Sequence, residues 1–386
     1  MSDKNNQSAE RRYTWAEVER HRAEAVADYK SATAHVFVDI GVSGHPHPTT
    51  KAVITMAEIV TPVRPLDRVW DGQTITEPGV YSGVSNAAYH RRADICAGPS
   101  ISSGGLRRIE TTSLAHYYAT CPYNPGRVDE DDDSEALIFG RAAHTLLLGE
   151  EGFKTEYLIR PDAYPDAKGD EKAWNGNATW CRKWLADAAR AGKTVLTKAQ
   201  LDRIVGMAEA MARHPTIRGG ILNGQIERSV FWRDPLTGVW LKSRPDALPE
   251  DDLTLVDLKS CASAHPLAVR KAISDHGYEQ QLALAEDGLR ETRGQIIRER
   301  VLVFVESKRP HAINIKPVVE DAINWGRRQN RRAIDRFAGA ISTGEWPDYV
   351  DDDEVPCGLT EAKLRRLERE SELGLLPHVH PYREAA

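Results

Sequence analysis

Hydrophobic positions along the chain follow two periods, one of two residues and one of three to four. A continuous apolar run at 301–305 predicts a buried strand, and the alternation at 312–315 predicts its partner. Two more strands are predicted at 239–244 and 253–259, with the acidic turn 249–252 between them. The longer period predicts helices, which cover residues 135–149, 174–191, 198–213, 278–285 and 324–340.

The two strands on either side of the acidic turn are predicted to be neighbours, and each carries a carboxylate. Asp246 lies across a short hairpin from Asp257, and Lys259 follows Asp257 by two residues. Side chains two apart share one face of a strand, so Asp257 and Lys259 point the same way and Leu258 points into the core. Neighbouring carboxylates repel each other unless a cation lies between them, and such oxygen ligands suit Mg²⁺ or Mn²⁺. A lysine beside that cation can orient or activate a water that attacks a phosphodiester. The alternative is a solvated hairpin with ordinary surface charges.

Two predicted helices carry further candidate residues. Ser102 or Ser103 is a suitable N-cap for a helix that begins near Gly104, and a helix N-terminus with free N–H groups, serine hydroxyls and nearby arginines can receive a phosphate. The alternative is a capped helix with no ligand. In the helix 135–149, His144 falls on the apolar face, which also contains Leu137, Gly140, Leu147 and Leu148. His144 is therefore expected to face the interior, either as a core residue or as a ligand.

The helices nearer the C-terminus have polar residues at helical spacing. Tyr278, Gln281 and Ala285 share one face, so a phenol and an amide can both face the hairpin. The helix 324–340 has an arginine-rich face, formed by Arg327, Arg328, Arg331, Arg332 and Arg336. Such a face predicts a solvated surface, and contact with DNA is the alternative. A further charged helix is expected near 359–373.

Composition indicates the setting in which this chemistry operates. The chain has 386 residues, 41% hydrophobic and 28% charged, so one large domain with an appendage is expected. A formal net charge of −6 excludes a general nucleic-acid footprint, so any DNA contact must be a local basic groove. The five cysteines are scattered and form no Cys-x-x-Cys pair, which indicates neither a zinc site nor a disulfide framework. No long apolar run or signal-peptide core is present, so a cytoplasmic protein without a membrane span is expected.

The first 75 residues suggest no function. A charged helix is predicted from Trp15 to Ala34, and strands are predicted at 35–40 and 52–56. The two histidines of the proline-rich segment 45–48 could bind a metal, but a rigid loop is the simpler interpretation. No role is therefore assigned to this region.

The order of several segments resembles the RecE-type (exonuclease VIII) branch of the PD-(D/E)xK nucleases, which is found in phage recombination systems. The resemblance covers about residues 76–350, and residues 1–75 lie outside it. The matching pieces are, in chain order, Tyr89-His90, Ile101 to Leu106, Gly140 to Leu148, Glu227, Lys242 to Asp246, Val256 to Ser260, Tyr278 with Gln281, Val303 to Pro310 and Glu345 to Tyr349. Ala285 departs from the tyrosine often found after the glutamine in this family, and this departure is expected to affect packing or a DNA contact rather than catalysis.

This resemblance implies a set of metal ligands and a catalytic lysine. His144, Asp246 and Asp257 would bind two divalent ions together with the backbone carbonyl of Leu258. Lys259 would orient the attacking water and stabilise developing negative charge.

Other matching residues would surround this centre. Gln281 and Tyr278 would line the site and hold either the scissile phosphate or the Lys259 side chain. Glu227 is either a partner of the ligands or an ordinary strand residue. The remaining polar candidates would contact DNA phosphates; they are Ser102, Ser103, Lys242 and Arg244.

The resemblance also implies a fold and an activity. The fold is α/β, a restriction-endonuclease-like core with a mixed central sheet flanked by helices. It would occupy residues 76–350, between the region 1–75 and a charged tail at 351–386. The activity is that of a Mg²⁺-dependent exonuclease, with Mn²⁺ as a substitute ion, which degrades linear double-stranded DNA from its ends, 5′ to 3′. Little sequence specificity is expected, because phosphate contacts position DNA without reading it.

Relatives in this family form rings around DNA, so a homo-oligomer, a ring tetramer, is expected here. The expected partner is a single-strand annealing recombinase of the RecT-like kind, and the expected location is the cytoplasm of a bacterial host that carries a phage or prophage. The alternatives are a RecB-like or single-strand-directed nuclease, an inactive DNA-end-binding protein, and a structural phage protein that binds no divalent metal.

Overall fold

The computed structural model describes five stretches of the chain, residues 67–127, 134–148, 153–251, 253–349 and 358–376. The helix and strands expected within 15–56, and the acidic run 129–133, lie outside the described residues. The described residues up to Trp346 form one compact unit, and those from Pro347 form a second. Within the described stretches, every helix is too short or too polar to cross a membrane.

Strands occur along most of the first unit, and the two longest are those predicted from the apolar runs. In chain order the strands are β1 (Arg68–Val69), β2 (Gly79–Ser82), β3 (Ser100–Ser102), β4 (Tyr157–Ile159), β5 (Ala163–Pro165), β6 (Glu171–Ala173), β7 (Thr194–Leu196), β8 (Gln225–Ile226), β9 (Ser229–Arg233), β10 (Trp240–Ser243), β11 (Ala247–Leu248), β12 (Thr254–Cys261), β13 (Glu299–Glu306) and β14 (Ile313–Pro317). The strands β12 and β13 coincide with the predicted strands 253–259 and 301–305.

Helices follow the strands, and several have a side chain that caps the N-terminus. In chain order the helices are α1 (Asn86–Arg91), α2 (Ser103–Thr111), α3 (Leu114–Thr120), α4 (Glu135–Leu147), α5 (Phe153–Glu156), α6 (Thr179–Arg190), α7 (Lys198–Arg213), α8 (Pro266–His276), α9 (Tyr278–Arg293), α10 (Glu320–Thr343) and, in the second unit, α11 (Glu361–Glu372). A π-helical turn occupies Ile217–Ile221. The Ser102 hydroxyl caps α2 by accepting from the amide of Gly105, and α8 begins with Pro266 directly after its His265 cap.

Two five-stranded sheets form the framework of the first unit. The first has the strand order β1-β2-β9-β10-β3, and the second has the order β14-β13-β12-β11-β8. In the second sheet β12 and β13 are parallel and the other neighbours are antiparallel, so this sheet is mixed. The strand pairs β4–β7 and β5–β6 form separate small sheets. The observed architecture is therefore the predicted α/β fold, with a mixed sheet flanked by helices.

The second sheet is buried on both faces, and the period-2 alternation of β12 divides its side chains between two cores. Val256 and Leu258 pack with apolar residues of α4 and α7. Leu255 lies in the other core, with apolar residues of α9 and α10. Asp257 and Lys259 share the face of Leu255, as predicted, and therefore point toward α9.

The chain changes sheets between β10 and β11, which corrects the predicted pairing of 239–244 with 253–259. The strand β10 pairs with β9 and β3, whereas β11 pairs with β12 in the other sheet. The change occurs at Pro245, which has no amide hydrogen to continue a ladder. Asp246 still reaches β12, because Ala247 pairs with Val256.

The N-terminal half of the domain differs from its predicted elements in two further places. The predicted helix 174–191 begins only at Thr179, because the Trp174 amide donates to Asp162 at the end of the β5–β6 hairpin and residues 175–178 form a turn. In α4, Leu137 is 47% exposed, although it was predicted to face the interior. The buried face of α4 is formed instead by Phe139, Ala142, Ala143 and Thr145.

The arginine-rich face of α10 is largely neutralised by carboxylates of neighbouring elements. Arg327 pairs with Glu286, and Arg331 pairs with Asp234. Arg332 contacts Glu110, which belongs to α2. These contacts connect α10 to the rest of the domain, so the face is structural rather than simply solvated.

Candidate active site

The hairpin of β11 and β12 brings Asp246 beside the middle of β12. Its carboxylate is buried, and Oδ2 accepts a hydrogen bond from the Leu258 amide at 2.5 Å. A carboxylate that accepts from a backbone amide is fixed in orientation. Asp246 is therefore presented rigidly, as a ligand in a preorganised site must be.

Three side chains from separate elements converge at Asp246. The candidate ligand atoms of His144, Glu227 and Asp246 all lie within 4.8 Å of one another. His144 comes from α4, and its Nδ1 lies 3.7 Å from Asp246 Oδ2. The structure thus brings together two of the predicted ligands and the carboxylate of Glu227, whose role the sequence left open.

Glu227 reaches the cluster through an unusual backbone conformation. Its φ angle is +51°, in the left-handed region that side chains other than glycine adopt only with strain. Its amide donates to the carbonyl of Asp246 at 3.1 Å, directly after β8 pairs with β11. The sequence gives little sign of this placement, because β8 has only two residues and no periodic pattern.

Asp257 forms a second charged group beside this cluster, together with Lys259 and Gln281. The Gln281 amide donates from Nε2 to Asp257 Oδ1 at 2.6 Å and accepts from Lys259 Nζ at 3.1 Å. Lys259 Nζ also contacts Asp257 Oδ2 and lies 4.5 Å from the centre of the Tyr278 ring. The predicted face of α9, with Gln281 and Tyr278 directed at the hairpin, is therefore observed.

The electrostatic surroundings of Lys259 favour its charged form. Burial alone would lower the pKa of Lys259, but the carboxylates of Asp257 and Asp246 outweigh burial and raise the pKa above its ordinary value. Burial raises the pKa of Tyr278, so its ring stays neutral beside the ammonium. The group therefore places a fixed positive charge next to the ligand cluster.

The residues present fit a divalent cation. The cluster offers two carboxylates and one imidazole, a donor set that suits Mn²⁺ and, through its oxygens, Mg²⁺. Asp257 Oδ2 is buried and contacts the Lys259 ammonium, so this carboxylate is already paired with a cation beside the cluster. Asp257 is not one of the three clustered side chains, and its role as a metal ligand stays a prediction. The Leu258 amide donates to Asp246 Oδ2. A role for the Leu258 carbonyl as a metal ligand stays a prediction.

The predicted DNA contacts Ser102 and Ser103 lie at the start of α2. The Ser102 hydroxyl caps the helix, as predicted. Ser103 lines a narrow cleft together with Arg244, Asp257 and Gln281. The helix start therefore borders the candidate site, and its contact with phosphate stays a prediction.

Lys242 and Arg244 are engaged within the protein. The buried Lys242 ammonium donates to the Tyr89 carbonyl at 2.6 Å. Arg244 stacks on the Tyr89 ring at 4.3 Å, donates to the Val84 carbonyl and approaches Glu227 Oε2 at 4.0 Å. Both cations therefore hold the segment around α1 against the site. A DNA contact of either one stays a prediction, and it would require the contacts with Tyr89 and Val84 to open.

Comparisons with known proteins place this chain in a family. A family model described as a PDDEXK-like domain of unknown function (DUF3799) matches residues 109–359. A candidate exonuclease from Eubacterium rectale has a similar solved structure, with 14% identity and a TM-score of 0.45 over 69% of this chain and 92% of that one. An alkaline exonuclease from Laribacter hongkongensis has 12% identity and a TM-score of 0.22 over 51% of this chain and 88% of that one. No curated protein matches the sequence. Since the family model covers more than half of the chain, the protein belongs to the PDDEXK-like family, which confirms the predicted PD-(D/E)xK resemblance and gives the chain a nuclease-like domain.

Proposed function

We propose that this protein is a divalent-metal-dependent exonuclease that degrades linear double-stranded DNA from its ends, in the 5′ to 3′ direction. The observation that carries the proposal is the convergence of His144, Glu227 and Asp246 next to the group of Asp257, Gln281 and Lys259. The RecE-type resemblance of the sequence supports the choice of ends, duplex and direction.

The chain's own residues have distinct tasks in this proposal. His144, Glu227 and Asp246, with Asp257, would hold Mg²⁺ or Mn²⁺, two ions in the full complement. A divalent ion supplies Lewis-acid polarisation of a phosphodiester and a nucleophilic water at neutral pH. Lys259 holds a positive charge where negative charge develops on the phosphate, and it can orient the attacking water.

Gln281 and Tyr278 keep Lys259 in place during this reaction. The Gln281 amide ties Lys259 to Asp257, and the Tyr278 ring covers one side of the ammonium. A preorganised charge costs no reorganisation at the moment of reaction, which is why such fixed groups contribute strongly to rate.

The biological setting is also part of the proposal. We infer a homo-oligomeric ring, a tetramer, that encircles DNA and passes its 3′ single-stranded product to a RecT-like annealing recombinase in a phage-infected or prophage-carrying bacterium. This inference rests on the sequence resemblance. Light scattering of the purified protein tests the tetramer, and a protein that remains monomeric at micromolar concentration contradicts it.

The activity is tested by digestion of linear duplex DNA labelled at either the 5′ or the 3′ end, in Mg²⁺ or EDTA. Wild type and Asp257→Ala are compared, with closed circular duplex as a control substrate. Early release of the 5′ label is expected, dependent on metal and on Asp257. Closed circular duplex DNA should not be cleaved. Early 3′ release contradicts the direction. Preference for single strands favours a RecB-like or single-strand-directed enzyme, and end binding without cleavage favours an inactive end-binding protein.

A further inference from the structure

Arg107 lies on α2 and extends toward the start of α9, beside the candidate active site. Its side-chain stem packs on the chain reversal at Gly277, where an added methyl group would lie 3.2 Å from Arg107 Cδ. Its NH1 donates to the carbonyl of His276 at 2.7 Å. These two contacts hold the guanidinium at the N-terminal end of the helix that carries Tyr278 and Gln281.

The charge of Arg107 has no ion-pair partner among the residues that the structure describes. Its Nε is buried and donates to no acceptor, and no described carboxylate lies within ion-pair distance of its guanidinium. Other buried or partly buried arginines of the domain do meet carboxylates, as in the pairs Arg300–Glu286 and Arg327–Glu286. A partly buried cation without a counter-ion is costly for the free protein.

The surroundings of Arg107 favour an anion that comes from outside the chain. Burial lowers the pKa of Arg107, and Asp257, Tyr278 and Glu279 are the groups whose charges act on it. Neither carboxylate contacts the guanidinium. Glu279 Oε2 is itself buried without a partner, and burial raises the pKa of Glu279, so its negative charge is disfavoured there. The protein therefore leaves this cation without a contacting carboxylate, and Asp257, Tyr278 and Glu279 act on it only at a distance.

We propose that Arg107 binds a non-bridging phosphate oxygen of the DNA strand that enters the active site along the Tyr278 side. Guanidinium groups present several N–H donors in a fork that matches phosphate oxygens. The His276 contact engages NH1, which leaves the NH2 group of the fork for this ligand. This inference rests on the proposed function. It assigns phosphate binding to Arg107, four positions after the helix start at Ser103, where the sequence indicated only that arginines lie near a possible phosphate site.

The test compares Arg107→Gln and Arg107→Lys with Arg108→Gln, an exposed arginine on the same helix. Binding of short linear duplex DNA is measured by fluorescence anisotropy in EDTA, where no cleavage occurs, over a series of NaCl concentrations. Arg107→Gln is expected to weaken binding by roughly tenfold to a hundredfold. It is also expected to reduce the slope of log affinity against log salt by about one. Arg107→Lys keeps the charge, so it should retain the slope while it loses affinity. Arg108→Gln should change neither quantity to a similar extent.

Thermal unfolding of the same variants separates a structural role from ligand binding. Because Arg107 has no counter-ion, Arg107→Gln should unfold at or near the wild-type temperature. A large drop in unfolding temperature with an unchanged salt slope overturns the proposal, and so does a wild-type slope in a well-folded Arg107→Gln. If wild type itself neither binds nor cleaves duplex DNA, the proposed function has failed, and this inference fails with it. If wild type binds duplex DNA and Arg107→Gln binds it equally well, only this inference has failed.

Discussion

The side-chain amide of Gln281 donates to the carboxylate of Asp257 across 2.6 Å. The same amide accepts from Lys259 at its oxygen, 3.1 Å away. One amide can serve an anion and a cation at once, because it has both a donor and an acceptor. A glutamate at this position could pair with Lys259 but could not donate to Asp257. Lys259 therefore depends on a residue of α9 for its position.

Gln281→Ala should lower kcat for metal-dependent DNA hydrolysis by about tenfold to a hundredfold, since partners that orient ligands typically contribute this much. Gln281→Glu should be at least as inactive, because it adds a like charge beside Asp257. Both variants should unfold near the wild-type temperature, since Gln281 is only partly buried. Single-turnover cleavage assays measure the effect, with the exposed Glu291→Gln on the same helix as the control. A wild-type rate in Gln281→Ala would show that Lys259 needs no such support.

Glu227→Gln should weaken Mn²⁺ binding at least about tenfold, because the carboxylate lies in the ligand cluster. Isothermal titration calorimetry measures this affinity, with the exposed Glu250→Gln as the control.

The left-handed backbone at Glu227 gives a second expectation. Glu227→Gly and Glu227→Ala both remove the carboxylate, but only glycine relieves the strain, so Glu227→Gly should be the more stable by about 1 kcal/mol. Equal stabilities in urea unfolding would show that this backbone is not strained.

Sequence alone predicted those parts of the site that depend on local patterns. The spacing of Asp257 and Lys259 fixes their common face, and helical spacing does the same for Tyr278 and Gln281. The helix cap at Ser102 was also predictable, since capping depends on adjacent residues. In each case the determining interaction spans only a few positions of the chain.

Sequence did not predict features that depend on which strand pairs with which. A period-2 pattern sets the face of a strand but not its partner, so the change of sheet at Pro245 was missed. For the same reason, the two-residue strand that places Glu227 beside Asp246 gave no signal. The carboxylate partners of the α10 arginines were likewise missed, because Asp234 and Glu110 are distant from α10 in sequence.

Lys242 should make protein stability depend on pH in the alkaline range. Burial lowers the pKa of Lys242 from 10.5 to about 8, with Cys96 and Arg244 as the nearest charges that act on it. Between these two pH values the unfolded chain binds more protons than the folded one, so the Lys242 contribution to stability rises with pH. Below pH 8 its charged form costs the folded state about 3 kcal/mol.

Lys242→Met removes this contribution. The stability of Lys242→Met relative to wild type should therefore fall by about 2 kcal/mol between pH 7 and pH 10, as the wild type is relieved of its buried charge. Urea unfolding at both pH values measures the difference, and Lys271→Met, at an exposed position, is the control. A difference that stays constant with pH would show that the Lys242 ammonium is not destabilised by burial.

Gly326→Ala should damage both packing and catalysis, because α10 crosses α9 at this glycine. An added Cβ would lie 2.6 Å from the backbone carbonyl oxygen of Glu279, which cannot rotate away. The helices must move apart, at a cost of about 1–3 kcal/mol in the free energy of unfolding. Since α9 carries Gln281, the same displacement should lower kcat. Gly339→Ala on the same helix is the matched control, because its Cβ meets open space, and it should stabilise the protein by roughly 0.5–1 kcal/mol. Equal effects of the two substitutions, in urea unfolding and in cleavage rate, would contradict a close crossing at Gly326.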